Sequence, residues 1–157
     1  QGWFKSGPFK NWGTSSDGTR AAGERIIKEL QQILSNADIA SLRTISLIGS
    51  SMGGVYARYI AGRLYNTEIN KITITLNTNN ELHLEPLSYV SLASPHVGVA
   101  GLQGLHLWLG TSLWFFRGTA SDLMLSDHPT NPLLYEMASL DSPYFLALKA
   151  FTKRITY

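Results

Sequence analysis

Two periods of hydrophobic and polar positions run along this chain, and they change at short joints rich in glycine or carrying proline. Ala22, Ile26, Leu30, Ile33 and Leu34 recur at steps of three and four, which predicts an amphipathic helix from about Gly18 to Ser35 with Asp17 as its N-cap. Asn36 to Leu42 has no period and reads as a connection. Arg43 to Ile48 is a β-branched run of the kind that forms a buried parallel strand. A second helix is expected from Met52 to about Tyr65, carrying Val55, Tyr56, Tyr59, Ile60 and Leu64. Strict alternation follows in Ile72-Thr73-Ile74-Thr75-Leu76 and resumes at Leu82 and Leu84 across an Asn77 to Asn80 turn, so residues 70 to 85 read as a hairpin. Leu87 to Ala93 is a further apolar strand, stopped by Ser94-Pro95-His96-Val97-Gly98. Two more helical stretches lie near Pro132 to Ser139 and Pro143 to Arg154. This order of helices and strands predicts an α/β fold, a parallel sheet with crossover helices.

Two stretches break the pattern. Gln1 to Ser16 mixes Gly, Trp, Phe and Asn around Pro8 without a period and reads as a loop. From Pro86 through Phe116 there is no Asp, Glu, Lys or Arg, and Leu102, Leu105, Leu109, Leu113 and Phe116 recur at helical steps. A run of that length formally meets the criterion for a membrane span. Pro95, Gly98, Gly101, Gly104 and Gly110 interrupt it, which favours a buried or interfacial helix over a lipid pocket, or ordinary core. Residues 98–150 are accordingly expected to form a cap within a single domain of residues 1–157, with peripheral membrane contact through the apolar run.

Composition narrows the chemistry. At 157 residues the chain has room for one domain, and only 15% of it is charged, with a net charge of +2. Its one basic group, Lys149, Lys153 and Arg154, reads as a solvated helix face or a contact to further chain, so no nucleic-acid partner is expected. The absence of cysteine excludes disulfides, thiolate zinc sites and cysteine nucleophiles. Localisation stays open, with a cytoplasmic or membrane-associated placement favoured.

The stretch with most chemical content is Gly49-Ser50-Ser51-Met52-Gly53-Gly54. It places G-x-S-x-G between an expected strand and an expected helix, the pattern of a nucleophile elbow. A serine on so sharp a turn crowds the residues two before and two after it, so Gly49 and Gly53 are expected to let the turn close, and Gly54 to let helix and strand approach. The first N–H groups of the helix would point back at Ser51, where negative charge develops in acyl transfer. Chance supplies one such pentapeptide in about twenty chains of this length, so the flanking strand and helix carry the weight.

Three segments together resemble a known family. Ser16-Asp17-Gly18 with Gly23-Glu24-Arg25 and Glu29, then Ile48-Gly49-Ser50-Ser51-Met52-Gly53-Gly54-Val55-Tyr56-Ala57-Arg58-Tyr59, then Leu92-Ala93-Ser94-Pro95-His96-Val97-Gly98-Val99 are similar to three successive motifs of the lipase-like serine esterases of the α/β-hydrolase superfamily. The chain departs from that pattern at Ser50, where the family usually has histidine, and at Ser15, where it usually has threonine. The resemblance implies the central part of an α/β-hydrolase domain that hydrolyses carboxylic esters of lipids. Ser51 would be the nucleophile and the N–H of Met52 one oxyanion donor.

The same resemblance implies an acid and then a histidine after the serine, and neither is evident. His83 falls in the hairpin, His106 among leucines, and His128 directly after Asp127. His96 closes a strand near the elbow and reads as shaping the pocket or bonding the backbone. Asp122, Asp127, Glu136 and Asp141 read as solvated or capping carboxylates. Asp127 and His128 make no metal-ligand constellation, so neither metal nor cofactor is expected. The base and acid are expected outside this chain, which alone should turn over esters negligibly. The competing expectation is a non-catalytic lipid-binding or scaffold protein on the same fold.

Overall fold

The computed structural model describes residues 17–77, 80–100 and 117–157. Their elements run α1 (Thr19–Ser35), β1 (Thr44–Ser50), α2 (Met52–Leu64), β2 (Tyr65–Asn66), β3 (Lys71–Asn77), β4 (Asn80–Leu92), α3 (Arg117–Leu123), α4 (Leu133–Ala138), α5 (Pro143–Ala150) and β5 (Lys153–Thr156). The protein is α/β, and its sheet is mixed. β4 is the central strand: Ser88 to Ser91 pair in parallel with Ser46 to Gly49 of β1 on one edge and with Lys153 to Thr156 of β5 on the other. Earlier in β4, Leu82 to Leu84 pair antiparallel with Ile72 to Ile74 of β3. The wholly parallel sheet expected from the alternation of helices and strands is therefore corrected. The hairpin is part of the same sheet, because the two apolar runs either side of Pro86 are one strand.

Pro86 explains how one strand can serve both halves. It has no N–H for the ladder, and the register shifts beside it, Ile45 facing Pro86 and Ser46 facing Ser88, so Leu87 is a one-residue bulge. Before the bulge the buried positions are Leu84 and Pro86, and after it they are Tyr89 and Ser91. One extra residue moves the inward face from even to odd positions and keeps it continuous.

The core lies between the sheet and the helices. Ala57 and Ala61 of α2 pack with Tyr89, Ala147 and Phe151. Val55 and Tyr59, on another side of α2, pack with Leu133, Leu134, Met137 and Tyr144. The hairpin residues Ile72, Ile74 and Leu84 meet Leu30 and Leu34 of α1. Close approach of α5 to α2 depends on Gly62, where a Cβ would sit 2.2 Å from Tyr144 Cδ1 and 2.6 Å from its Cα.

Three further expectations change. β1 is not buried on both sides: Ile45 and Leu47 are half-buried toward the helices, while Ile48, facing away, is 71% exposed. Lys153 and Arg154 belong to strand β5, since α5 ends at Ala150, and Arg154 reaches back to the Lys149 carbonyl at 2.6 Å. Asp17 does not cap α1. The N-cap is Gly18 at φ 94°, and Asp17 pairs instead with Arg25. The cap comes from α3, whose Asp122 Oδ2 accepts the Thr19 N–H at 2.5 Å. Gly118 makes that contact possible, because a Cβ there would lie 2.4 Å from the Asp17 carbonyl carbon. Among the described residues no helix is long and apolar enough to cross a membrane. The apolar segment 101–116 and the loop 1–16 lie outside the described residues.

Candidate active site

Ser51 stands where β1 ends and α2 begins, with φ 55° and ψ −128°. That is a left-handed backbone angle, which costs a non-glycine residue of order 1–3 kcal/mol unless its surroundings enforce it. Here β4 enforces it: the Ser51 N–H donates to the Leu92 carbonyl at 2.8 Å. The turn turns back so tightly that a Cβ on Gly49 would meet the carbonyl carbon and oxygen of Gly53 at 2.3 Å. Ser51 itself is exposed, and its hydroxyl makes no hydrogen bond among the described residues. Met52 opens the helix, so its N–H has no intrahelical acceptor and sits beside the serine.

The glycines differ in what they do. Gly49 is required by backbone contact. Gly54 is required by β4, because its Cβ would fall 2.1 Å from Ser94 Oγ and 2.6 Å from Ser91 Oγ. Gly53 is not, since a Cβ there would meet nothing within 4 Å. The steric role expected for Gly53 thus belongs to Gly49 and Gly54.

Behind the turn lies a buried polar chain that sequence reasoning saw only in part. His96, expected to shape the pocket or bond the backbone, bonds a side chain: its Nε2 lies 2.6 Å from Ser91 Oγ. Ser91 and Tyr89, two residues apart, share the inward face of β4. The Tyr89 hydroxyl donates to the Gly54 carbonyl at 2.8 Å. Burial pushes the Tyr89 phenol up to about 12, with the Ser91 hydroxyl and Arg58 acting in the opposite direction. Burial, and then the nearby Arg58 guanidinium, lower the His96 imidazole from its ordinary value, which favours its neutral form. Arg58 is itself only 7% exposed, donates to the Met137 carbonyl at the end of α4 at 2.6 Å, and is lowered by its burial. The i, i+2 spacing of Tyr89 and Ser91 just before Ser94-Pro95-His96 was the available signal for this group.

The other histidines and carboxylates are occupied elsewhere. His83 is an exposed hairpin residue with Nδ1 3.1 Å from Thr73 Oγ1. His128 accepts the Asn131 N–H at 3.0 Å in a turn. Asp127 caps α4 by accepting the Leu133 N–H at 2.9 Å, and Glu136 pairs with Arg20 at 2.8 Å. Asp122 is the cap of α1, its pKa raised by burial against the Thr19 hydrogen bonds. His106 lies outside the described residues. Among the described residues no imidazole or carboxylate is hydrogen-bonded to Ser51, and no cluster suited to a metal occurs. A cavity of about 610 Å³ lined by Asn70, Pro86, Leu87 and Lys149 lies elsewhere. Its Glu85 pairs with Thr44 at the opposite end of β1 from Ser51.

The chain is 26% identical over 153 residues to the fission yeast (Schizosaccharomyces pombe) protein named "Putative lipase C4A8.10". The match covers 94% of this chain and 18% of that protein, so the chain spans less than a fifth of its relative's length. No solved structure gives a significant match. The profile of the family described as "Putative serine esterase (DUF676)" matches residues 6–157, nearly the whole chain, and the protein belongs to that family.

Proposed function

We propose that this chain is the nucleophile-bearing part of an α/β-hydrolase domain whose activity is hydrolysis of carboxylic esters of lipids. The observation that carries the reading is the exposed Ser51, held at φ 55° between a parallel strand and a helix N-terminus. Support also comes from the placement of Ser51, the Ser94 to Gly98 loop and Tyr157 at the carboxyl ends of β1, β4 and β5. Ligands bind at that edge of parallel sheets. The Tyr157 carbonyl accepts the Ala93 N–H at 2.7 Å, which brings the end of β5 beside the loop.

In this mechanism the Ser51 oxygen attacks the ester carbonyl carbon while a base removes its proton. The N–H of Met52 donates to the oxygen that becomes negative. Collapse expels the alcohol, which takes the proton from the base, and water then releases the carboxylic acid from the acyl-serine. Ser51 is exposed, so substrate can approach its hydroxyl. The base and its acid come from outside the described residues, because His83, His96 and His128 are all committed elsewhere. Acyl lipids are the favoured substrates, with peripheral membrane contact through the uncharged segment that follows β4. Within residues 98–150, the range expected to form the cap, Leu133, Met137, Tyr144 and Ala147 instead pack against α2 as core.

A second reading, a non-catalytic lipid-binding protein on the same fold, rests on that missing base and on Ser50 in the position usually held by histidine. One experiment separates them. A fluorophosphonate probe applied to the full-length parent protein is expected to label Ser51, and Ser51→Ala to abolish labelling. A folded parent that takes no label while binding lipid vesicles would establish the second reading. Label persisting in Ser51→Ala would remove the first.

A further inference from the structure

We infer that Tyr89, Ser91 and His96 are positioning residues, which hold the first turn of α2 and therefore the Met52 N–H in register with Ser51. The inference rests on the proposed role of Ser51. Strand β4 grips the turn at two points, one on each side of Met52. Before it, the Ser51 N–H is bound to the Leu92 carbonyl. After it, the Gly54 carbonyl is bound to the Tyr89 hydroxyl. The second grip is set by the O–H the phenol donates, and a hydrogen bond accepted by its oxygen strengthens it.

The direction of each proton follows from the acceptors. Tyr89 spends its single O–H on the Gly54 carbonyl, so its oxygen is left to accept. Ser91 stands two residues along on the same buried face of β4, which places its hydroxyl to donate to that oxygen. Ser91 has one O–H, and once it points at Tyr89 the Ser91 oxygen can only accept from His96. The imidazole therefore carries its proton on Nε2, and Nδ1 is bare, in keeping with a Nδ1 that is buried without a partner. A bare nitrogen is the less costly atom to leave unpaired there, since an orphan N–H would be unsatisfied beside Arg58. Proton order runs from His96 to Ser91 to Tyr89 to the Gly54 carbonyl, with 2.6 Å between His96 and Ser91 and 2.8 Å between Tyr89 and Gly54. Gly54 completes the device, because any side chain there would displace Ser91 and Ser94. His96 contributes a fixed donor and no charge.

The test uses the full-length parent, with p-nitrophenyl butyrate turnover and fluorophosphonate labelling. Tyr89→Phe and Ser91→Ala are each expected to lower kcat about tenfold at unchanged KM, the cost of losing one alignment hydrogen bond. His96→Gln, whose carboxamide nitrogen stands where Nε2–H stood, is expected to retain kcat within about twofold, whereas His96→Leu falls as Ser91→Ala does. Wild-type kcat in Tyr89→Phe would overturn the inference. A His96→Gln variant as inert as Ser51→Ala would overturn it too, by making His96 the base. Should the variants fail to fold, ¹⁵N-histidine NMR of the wild-type parent decides. Neutral His96 protonated on Nε2 at pH 7 is expected, and an Nδ1–H tautomer or an imidazolium refutes the chain of donors. That measurement does not depend on Ser51, so failure of the serine reading shows separately as labelling that survives Ser51→Ala.

Discussion

Three alanine substitutions within six residues should move stability in different directions, although a motif match treats the three glycines alike. At Gly53 the added methyl meets nothing within 4 Å, and the φ is not in the left-handed region. Only helix propensity and unfolded-chain entropy then change, so Gly53→Ala is expected to stabilise by about 0.5–1 kcal/mol. At Gly54 the same propensity gain is opposed by contacts of 2.1 Å to Ser94 Oγ, 2.6 Å to Ser91 Oγ and 2.8 Å to Ser94 Cβ. Ser94 Oγ could rotate away, at the loss of its bond to the Leu92 carbonyl. Its Cβ cannot move without the backbone, and Ser91 is fully buried and bonded to His96. Overpacking of this kind costs about 1–3 kcal/mol, which leaves Gly54→Ala net destabilising by about 1–2 kcal/mol. At Gly49 the clashing atoms are the Gly53 carbonyl and the Gly54 nitrogen, all backbone at 2.3 to 2.4 Å. No rotamer relieves that, and Gly49→Ala should cost about 4 kcal/mol, among the larger single-residue effects.

Thermal unfolding reads the series, at about 2–4 °C per kcal/mol for a domain of this size. Gly53→Ala should melt slightly above wild type, Gly54→Ala a few degrees below it, and Gly49→Ala far below or not fold at all. Melting of Gly53→Ala below Gly54→Ala would refute the reasoning, because it would mean that the second glycine of the pattern is the one the turn needs.

Asp122 is a buried carboxylate whose pKa is raised by that burial above the ordinary aspartate value. The stability it confers is therefore complete at lower pH and is lost as pH rises through that raised value. The wild-type minus Asp122→Asn difference in unfolding free energy should decline over that window and then stay flat. A difference that grows with pH would contradict a burial-dominated site. His96 has the opposite sign: its folded pKa lies below 6.5, so its contribution is present above 6.5 and is lost as pH falls through the depressed value. His96→Gln should remove that acid-side loss, which pH-dependent melting curves would show. The isolated 157-residue chain should give negligible ester turnover. General-base assistance alone is worth about a hundred- to ten-thousandfold, and Ser51-dependent turnover of the chain by itself would place the base inside it.

What the sequence made legible follows the range of the interaction responsible. The α1, α2 and β3 periods and the position of the serine turn are set by neighbours within a few residues, and they fall where alternation and glycine place them. The failures lie where a distant partner outcompetes a local one. Asp17 is a sound N-cap by local rules, yet Arg25 takes its carboxylate and Asp122, 103 residues away, takes the helix N–H. Pro86 looks like a strand terminator, but the β4 ladder runs through it because the bulge at Leu87 absorbs the missing donor. Lys153 and Arg154 extend a helical period that Phe151 breaks, as its burial against Tyr89 starts β5. The site divides in the same way. A serine between glycines is a local signature, whereas the chain from His96 to Gly54 is made by residues of two elements that meet only when β4 lies beside α2. Sequence spacing shows Tyr89 and Ser91 on one face. It does not show that Gly54 is what they face, and that contact turns an ordinary polar strand end into the support of the serine turn.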